Sequence, residues 1–395
     1  MSRWSEAVEA VYPDMVKWRR YLHMNPELSF QESQTAAFVA SLLQEWGIEA
    51  RTGVGGHGIV ARIEGAAKGP TVALRADMDA LPIQDEKSCE YASKVPGVMH
   101  ACGHDAHTAT LLGVAKLMNE HRDQLAGNVV FLFQPAEETT PGGAIEMIRD
   151  GALEGVDVIY GIHLWTPFET GAAYCKPGAI MAAADEFIIE IKGKGGHGGL
   201  PHQTVDSIYV ASQLVVNFQG IVSRFSDPTQ PCVVTVGSFH SGTSFNVIAE
   251  TATLKGTVRT FDPELRLQVK RRLEDIAEYT CRMNGAECAI KYNLGYPPVI
   301  NHAAEEERFR RAAAAALGEQ GARTSPLIMA GEDYAYYLER IPGCFMFVGA
   351  GHKERGIVHP HHHPRFDIDE IAMHHAAKLF IRMTEDYLAE HAYSR

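Results

Sequence analysis

Between residues 104 and 120 the apolar positions fall at helical spacing, with Leu111, Leu112, Ala115 and Met118 on one face, and the pattern predicts a helix. Similar patterns predict helices over 4–24 and 31–46. The segment MNPELSFQES forms the turn between them, with Asn25-Pro26 as the break and Ser33 as the cap of the second helix. Short strands are expected at 48–52, 58–63 and 71–76. The run 128–134 contains VVFLF, a nearly continuous apolar stretch of the kind buried on both faces of a sheet. A helix near 142–151, a strand at 156–163 and another near 171–175 follow. Strands alternating with helices indicate a layered α/β sheet.

The pattern changes near Asp185. From there the chain reads as strand 187–193, helix 205–225, strand 232–240, strand 246–260, helix 263–284 and strand 287–292. The order β-α-β-β-α-β is ferredoxin-like and makes a complete fold unit. After Pro297-Pro298 the α/β pattern resumes, with helix 303–318, strand 325–329, helix 332–340, strand 345–348 and a last helix at 369–390. The expected fold is therefore a discontinuous layered α/β domain, 1–184 and 299–395, with a ferredoxin-like domain, 185–298, inserted into it.

With 395 residues the chain is long enough for two such domains. Lys and Arg number 36 and Asp and Glu 49, a formal charge of −13, and there are no basic runs. This balance argues against nucleic acid or an anionic membrane as partner. The first residues are amphipathic and polar rather than signal-like, and no apolar run reaches the ~20 residues of a membrane span. Seven cysteines, an odd number without framework spacing, fit a reducing cytoplasm.

The chemistry-bearing residues gather where strands end. The stretch 99–107 packs three histidines, Cys102 and Asp105 just before the predicted helix, and thiolate and imidazole are ligands for zinc-like metals. Asp77 and Asp79 follow one strand, Glu137 and Glu138 another, His163 ends a third, and a histidine group at 359–363 follows a fourth. Each has an ordinary structural explanation alone: a turn cap, a solvated pair, a core histidine. Their joint placement beyond the carboxyl ends of strands is where an open α/β sheet builds its site. Two metals about 3.5–4 Å apart suit hydrolysis, and adjacent glutamates suit a division between metal ligand and general base.

The motifs RRYLHMNPELSFQE (19–32), RADMDALPI (75–83), MHACGHDAHTA (99–109), FQPAEE (133–138), GIHLW (161–165), KGKGGHGGLPH (192–202), FNVIAE (245–250), GTVRTF (256–261), GEDYAYY (331–337) and HHPRFDIDE (362–370) run along almost the whole chain. Together they resemble the M20 metallopeptidase family, and within it the N-acyl-amino-acid amidohydrolase branch. That branch includes hippurate hydrolases, N-acetyl-diaminopimelate deacetylases and indole-acetyl-amino-acid hydrolases. The resemblance implies Cys102, His104, Glu138, His163 and His362 as metal ligands, with Cys102 bridging where other branches have aspartate. His362 is taken over its neighbours His361 and His363 because it stands two residues before the proline of the family's H-x-P-x-F pattern. Glu137 matches the general base, and Asp79 matches a residue that orients a ligand imidazole. The inserted domain resembles the family's lid and dimerisation domain. There His197 would meet the oxyanion in the partner subunit's site, Asn246 and Arg259 would hold substrate, and His202 would share the role of His197 or pack. The implied cofactors are two divalent ions, zinc or manganese, with cobalt or nickel as alternatives. The implied substrate is a small N-acyl-amino acid, and the implied assembly a homodimer or larger homo-oligomer.

Three other readings compete with this one. Residues 53–58 and 193–198 both satisfy G-x-G-x-x-G, but the first precedes a strand, and the helix after the second has no acid for a ribose. A non-catalytic protein on the same scaffold would be expected to have lost some of the site residues, and here all are filled. A dipeptidase or carboxypeptidase keeps the chemistry and changes the substrate.

Overall fold

The strand Thr71–Asp77, TVALRAD, has no exposed position. In the computed structural model of the protein, which describes residues 3–392, it runs through the interior of the larger sheet. Among the described residues that sheet has eight strands, ordered Glu49–Val54, Gly58–Glu64, Asn128–Gln134, Thr71–Asp77, Val158–Glu169, Gly343–Gly351, Ala173–Cys175, Ala322–Thr324. The four middle strands, from Asn128–Gln134 to Gly343–Gly351, are parallel; their outer neighbours join them antiparallel, and the outermost pair on one side, Ala173–Cys175 with Ala322–Thr324, is again parallel. Parallel strands must be covered on both faces, which is why these four read as apolar runs rather than alternating ones.

The chain divides into two compact units, residues 1–178, 300–326 and 333–395 in one, 179–299 and 327–332 in the other. In the first unit the helices Arg3–Met24, His104–Glu120 and Ile371–His391 pack together. Val8, Val11, Met15, Trp18 and Leu22 make the buried stripe of the first. Its partner helix is buried nearly all round. Gly113 lets the two approach, since a Cβ there would lie 2.4 Å from Met15 Sδ. Arg19 is fully buried in the same layer, where its guanidinium meets Asp105 at 2.9 Å and Asp367 at 2.7 Å.

The second unit has a four-stranded antiparallel sheet ordered Cys232–Ser241, Thr251–Thr260, Ala183–Lys192, Glu287–Tyr296. The helices Ser207–Gly220 and Pro263–Met283 pack on it through Leu214, Phe218, Val269 and Leu273. This is the ferredoxin-like order expected from the sequence. Residues 327–332 fall with this unit because Ile328 N donates to Ile180 O and Ala182 N to the carbonyls of Ile328 and Ala330.

Some elements differ from the sequence pattern. The expected strand 325–329 is instead Ala322–Thr324, which pairs with Ala173–Cys175 and stops before Pro326. The expected strand 246–260 breaks in two: Val247–Ile248 pairs with Gly196–His197, and Thr251–Thr260 joins the main sheet of the unit. The expected helix 332–340 shrinks to Ala335–Leu338. Ser33 is the first helical residue rather than the cap. Glu27 instead reaches from the preceding turn to accept from Gln34 N at 3.1 Å and Thr35 N at 2.8 Å.

Asp185 anchors the second unit. It takes Arg266 Nε on both carboxylate oxygens, at 3.0 Å each, and also accepts from Tyr292 Oη and Gly295 N. Removing one member of a buried pair leaves the other charge uncompensated. Asp185→Ala should therefore lower stability by about 3–5 kcal/mol, seen as a lower urea midpoint. An unchanged midpoint would contradict this account of the pair.

Candidate metal centre

The register of the parallel strands sets the level of the site. Asp77 pairs with Gln134, Phe347 pairs with His163, and Arg75 pairs with Gly161. Two residues further along, Asp77 and His163 stand at the same height. From Thr71–Asp77 the chain goes first to the neighbour on one side, Asn128–Gln134, and then to the neighbour on the other, Val158–Glu169. Such a reversal opens a crevice at the carboxyl ends of the strands. His163 was expected to end its strand. It lies inside it instead, because residues up to Glu169 stay paired with Gly343–Gly351.

Helix His104–Glu120 begins at this level. Gly103 precedes it with φ +92°, a conformation that favours glycine and lets the chain turn sharply from Cys102 into the helix. His104 Nδ1 donates to the Asp79 carbonyl at 2.9 Å, with Asp79 Oδ1 at 3.2 Å. Its Nε2 is then left facing Glu138 Oε1 at 3.9 Å and Glu137 Oε2 at 4.0 Å. Asp79 also accepts from Ser29 Oγ at 2.6 Å and Glu138 N at 3.0 Å, so one carboxylate fixes a ring and the start of the Glu138 turn. Cys102 Sγ lies 3.5 Å from His163 Nε2, and His362 Nε2 lies 3.2 Å from Glu138 Oε1.

Three sets of donor atoms converge here, each within 4.8 Å: Cys102, His104 and His163; Cys102, Glu138 and His362; His104, Glu137 and Glu138. All five expected ligands and the expected base are thus brought together, and Cys102 belongs to two of the sets. The three neighbouring histidines at the C-terminal side separate cleanly. His361 is bonded through Nε2 to Leu164 O at 3.1 Å and stacks on Trp165, while His363 stacks on His359. Only His362, with φ +64° and its N–H on Ala101 O, turns toward Glu138.

The electrostatics call for a cation. Burial works against a charged His104, yet Asp77, Asp79 and Glu138 outweigh it and hold the ring up at about 10. Burial, reinforced by Glu138 and Glu137, pushes the Cys102 thiol well above its usual range. Burial holds His163 well below its usual value, in the neutral form that metals bind. His104 Nε2 and Glu138 Oε1 are buried without a hydrogen-bond partner. Buried polar atoms are rarely left so. A thiol, imidazoles and carboxylates converging on such orphans fit divalent metal ions, and a bound cation reverses the local preference and favours the thiolate.

His107 and Asp77 were not singled out as a pair by sequence reasoning, although His107 sits one turn from His104 on the same helix face. Leu164 N donates to His107 Nε2 at 2.9 Å, so the ring proton is on Nδ1, which donates to Asp77 Oδ1 at 2.6 Å. Arg75 holds the other Asp77 oxygen at 2.7 Å and reaches Asp333 at 2.9 Å. Asp333 in turn accepts from Gln134 Nε2 and Ala144 N. Both His107 nitrogens are used, so it braces the strand carrying His163 rather than facing a metal.

The other expected residues lie in the second unit. His197 is exposed on the ribbon Gly196–His197, opposite Val247 and next to Asn246, whose carbonyl accepts from Gly198 N. His197 Nδ1 accepts from Gly199 N at 3.0 Å. His202 is exposed in the short turn Pro201–Gln203. Arg259, on the strand Thr251–Thr260, is half-buried and bonds to Thr257 Oγ1 and Val258 O; burial lowers its pKa.

The family model for peptidase family M20/M25/M40 matches residues 73–386. The chain is 50% identical over 295 residues to the N-acyl-L-amino acid amidohydrolase of Geobacillus stearothermophilus, covering 75% of this chain and 80% of that one. It is 46% identical over 355 residues to the N-acetyl-L-cysteine deacetylase of Bacillus subtilis, covering 90% and 83%. Among solved structures it is similar to the YXEP protein of Bacillus subtilis, a dinuclear metal binding peptidase from the M20 family. The TM-score is 0.84 with 37% identity, over 96% of this chain and 99% of that one.

His107→Leu removes the donor to Asp77 and the acceptor of Leu164 N. Each buried group left unmatched costs about 1–3 kcal/mol, so thermal denaturation should show a clear destabilisation. A variant that melts like the parent would rule out this bracing.

Proposed function

Since the chain belongs to peptidase family M20/M25/M40, we propose that it is a two-metal amidohydrolase. It would cleave the amide of N-acyl-L-amino acids to a carboxylate and a free amino acid. The observation that carries this reading is the convergence of Cys102, His104, Glu138, His163 and His362 around two orphaned buried atoms, with Glu137 beside them. Relatives named for N-acyl-amino acid and N-acetylcysteine hydrolysis support the substrate class.

In this reading the five residues hold two divalent ions, zinc or manganese, with cobalt or nickel able to occupy the same donors. Divalent ions held there would supply Lewis acidity toward the amide carbonyl and toward water. Glu137 takes the proton of the attacking water and returns it to the leaving amine. Asp79 keeps the His104 ring in the tautomer whose Nε2 is available. Arg259 holds the substrate carboxylate, for which its planar fork is suited, and Asn246 assists. His197, supported by His202, meets the developing oxyanion in the partner subunit of a homodimer, for which the second unit supplies the lid and interface. Seven cysteines without a disulfide fit a cytoplasmic enzyme.

The assay is amine release from N-acetyl-, N-benzoyl- and indole-acetyl-amino acids and from dipeptides, with protein as purified, chelated, and reloaded with Zn²⁺ or Mn²⁺. Release from acyl-amino acids should vanish on chelation and return on reloading, whereas release from dipeptides alone would move the reading to a peptidase. Glu137→Gln should lose at least about a hundredfold in kcat while keeping its metal, and full activity would remove Glu137 from the role of base. Cys102→Ser should lose metal affinity, measured by competition with a chromophoric chelator; affinity equal to the parent's would remove Cys102 from the ligand set.

A further inference from the structure

Three residues other than glycine have positive φ among those described: Phe30 at +64°, Ala136 at +53° and His362 at +64°. Such backbone is strained for a residue with a Cβ, and it persists only where surrounding contacts hold it. Ala136 stands immediately before Glu137 and Glu138. Its conformation turns the chain from the strand Asn128–Gln134 so that both glutamates leave the sheet where they do.

One side chain holds two of these three positions. Glu32 Oε1 accepts from Ala136 N at 2.8 Å and from Phe30 N at 2.9 Å. Glu32 occupies the cap position of the helix Ser33–Glu45, but its carboxylate makes no cap bond, and Glu27 performs that task. The side chain is turned away from its own helix toward the glutamate turn. It is fully buried, its Oε2 has no hydrogen-bond partner, and burial, with Asp79 nearby, pushes its carboxyl up to about 7. A buried carboxyl with one unmatched oxygen is costly. Local helix chemistry gives no reason for it, and such local exceptions mark functional positions.

Resting on the reading of Glu137 as the base, we propose that Glu32 is a positioning residue. Its Oε1 clamps the Ala136 amide and holds the strained turn that presents Glu137 and Glu138. It touches neither substrate nor metal, and acts through the backbone of residue 136.

The test uses Glu32→Ala, Glu32→Gln, Ala136→Gly and the double variant Glu32→Ala/Ala136→Gly in the full-length, metal-loaded protein. It reads kcat and KM for an N-acetyl-amino acid, bound metal, and backbone hydrogen exchange of peptides covering 134–139. Glu32→Ala should lose about ten- to a hundredfold in kcat with KM little changed, and exchange at 136 should quicken. Glu32→Gln keeps an oxygen that accepts the same two N–H groups, so it should retain protection and stay near the parent in kcat. Glycine adopts positive φ without strain, so Ala136→Gly should restore part of the kcat lost in Glu32→Ala. Glu32→Ala with parental kcat and exchange, or Glu32→Gln as impaired as Glu32→Ala, would overturn the proposal. If Glu32→Ala does not fold, the Gln variant still decides through the same two readouts. Absence of amine release by the parent would instead fail the amidohydrolase reading, and the exchange measurements would still decide the role of Glu32.

Discussion

Carboxylates buried side by side demand positive charge, and the first unit is arranged around that demand. Asp77, Asp79, Glu137 and Asp333 are all nearly inaccessible, with Glu138 close behind. On the inner side the demand is met by Arg75, a buried guanidinium shared between Asp77 and Asp333. On the outer side no arginine or lysine among the described residues is paired with Asp79 or Glu138. There His104 is held charged by its neighbours, its Nε2 makes no hydrogen bond, and Glu138 Oε1, 3.9 Å from it, has the His362 ring at 3.2 Å. An isolated buried charge costs several kcal/mol, so a site of this kind is incomplete as protein alone. The same carboxylates add to burial in keeping the Cys102 thiol protonated, whereas His163 is kept neutral by burial and by the neighbouring His107 and His361, against the pull of Asp77. A divalent cation would reverse two of these preferences, favouring a neutral His104 and a thiolate at Cys102, and would reinforce the neutral form of His163.

The parallel strands, the inserted β-α-β-β-α-β unit and the gathering of candidate donors at strand ends were all legible in the sequence, while the particular five expected ligands came from the family resemblance. They depend on periodicity and on residue type at strand ends, and both survive as pattern. What was not legible depended on backbone angle or on contacts between distant segments. His361, His362 and His363 are chemically identical in sequence. The family pattern selects His362 among them, but the physical reason appears in the fold, where residue 362 has positive φ and residue 361 is bonded to a strand nearly two hundred residues earlier. Ser33 fitted the local capping rule, but Glu27, six residues before it, already filled the place. His107 carried a visible signal, its i+3 spacing from His104, yet the tautomer that makes it a brace follows from the Leu164 amide, which only the fold brings near.

The strained residues show how the first unit divides rigidity. Phe30, Ala136 and His362 each sit in a connection rather than in a regular element, and each is fixed by a hydrogen bond to its own amide from elsewhere. Functional side chains on loops lose precision unless the loop is fixed to a rigid scaffold. Here the fixing bonds come from the segment before helix Ser33–Glu45 and from the residue before Cys102. The segment 25–32 therefore does more than join two helices. Leu28 bridges Ala80, Ser29 bonds Asp79, and Glu32 bonds Ala136, so one turn braces two strand ends.

The two units follow different physical rules for their functional residues. In the first, Cys102, His104 and His163 are buried, and the two rings are bonded on their far sides to the carbonyls of Asp79 and Leu164, while Glu138 is partly buried and His362 is exposed. His197, Asn246 and His202 of the second are solvent-exposed, on a two-residue ribbon and a short turn. Groups that meet a substrate can stay hydrated until it arrives, and their ordering is then supplied by binding energy. Arg259 stands between these cases, half-buried and bonded to Thr257 and Val258 of its own strand. Buried polar bonds thus fix most of the candidate metal donors of the first unit, whereas the candidate groups of the second are exposed or half-buried and bonded mainly within their own segments.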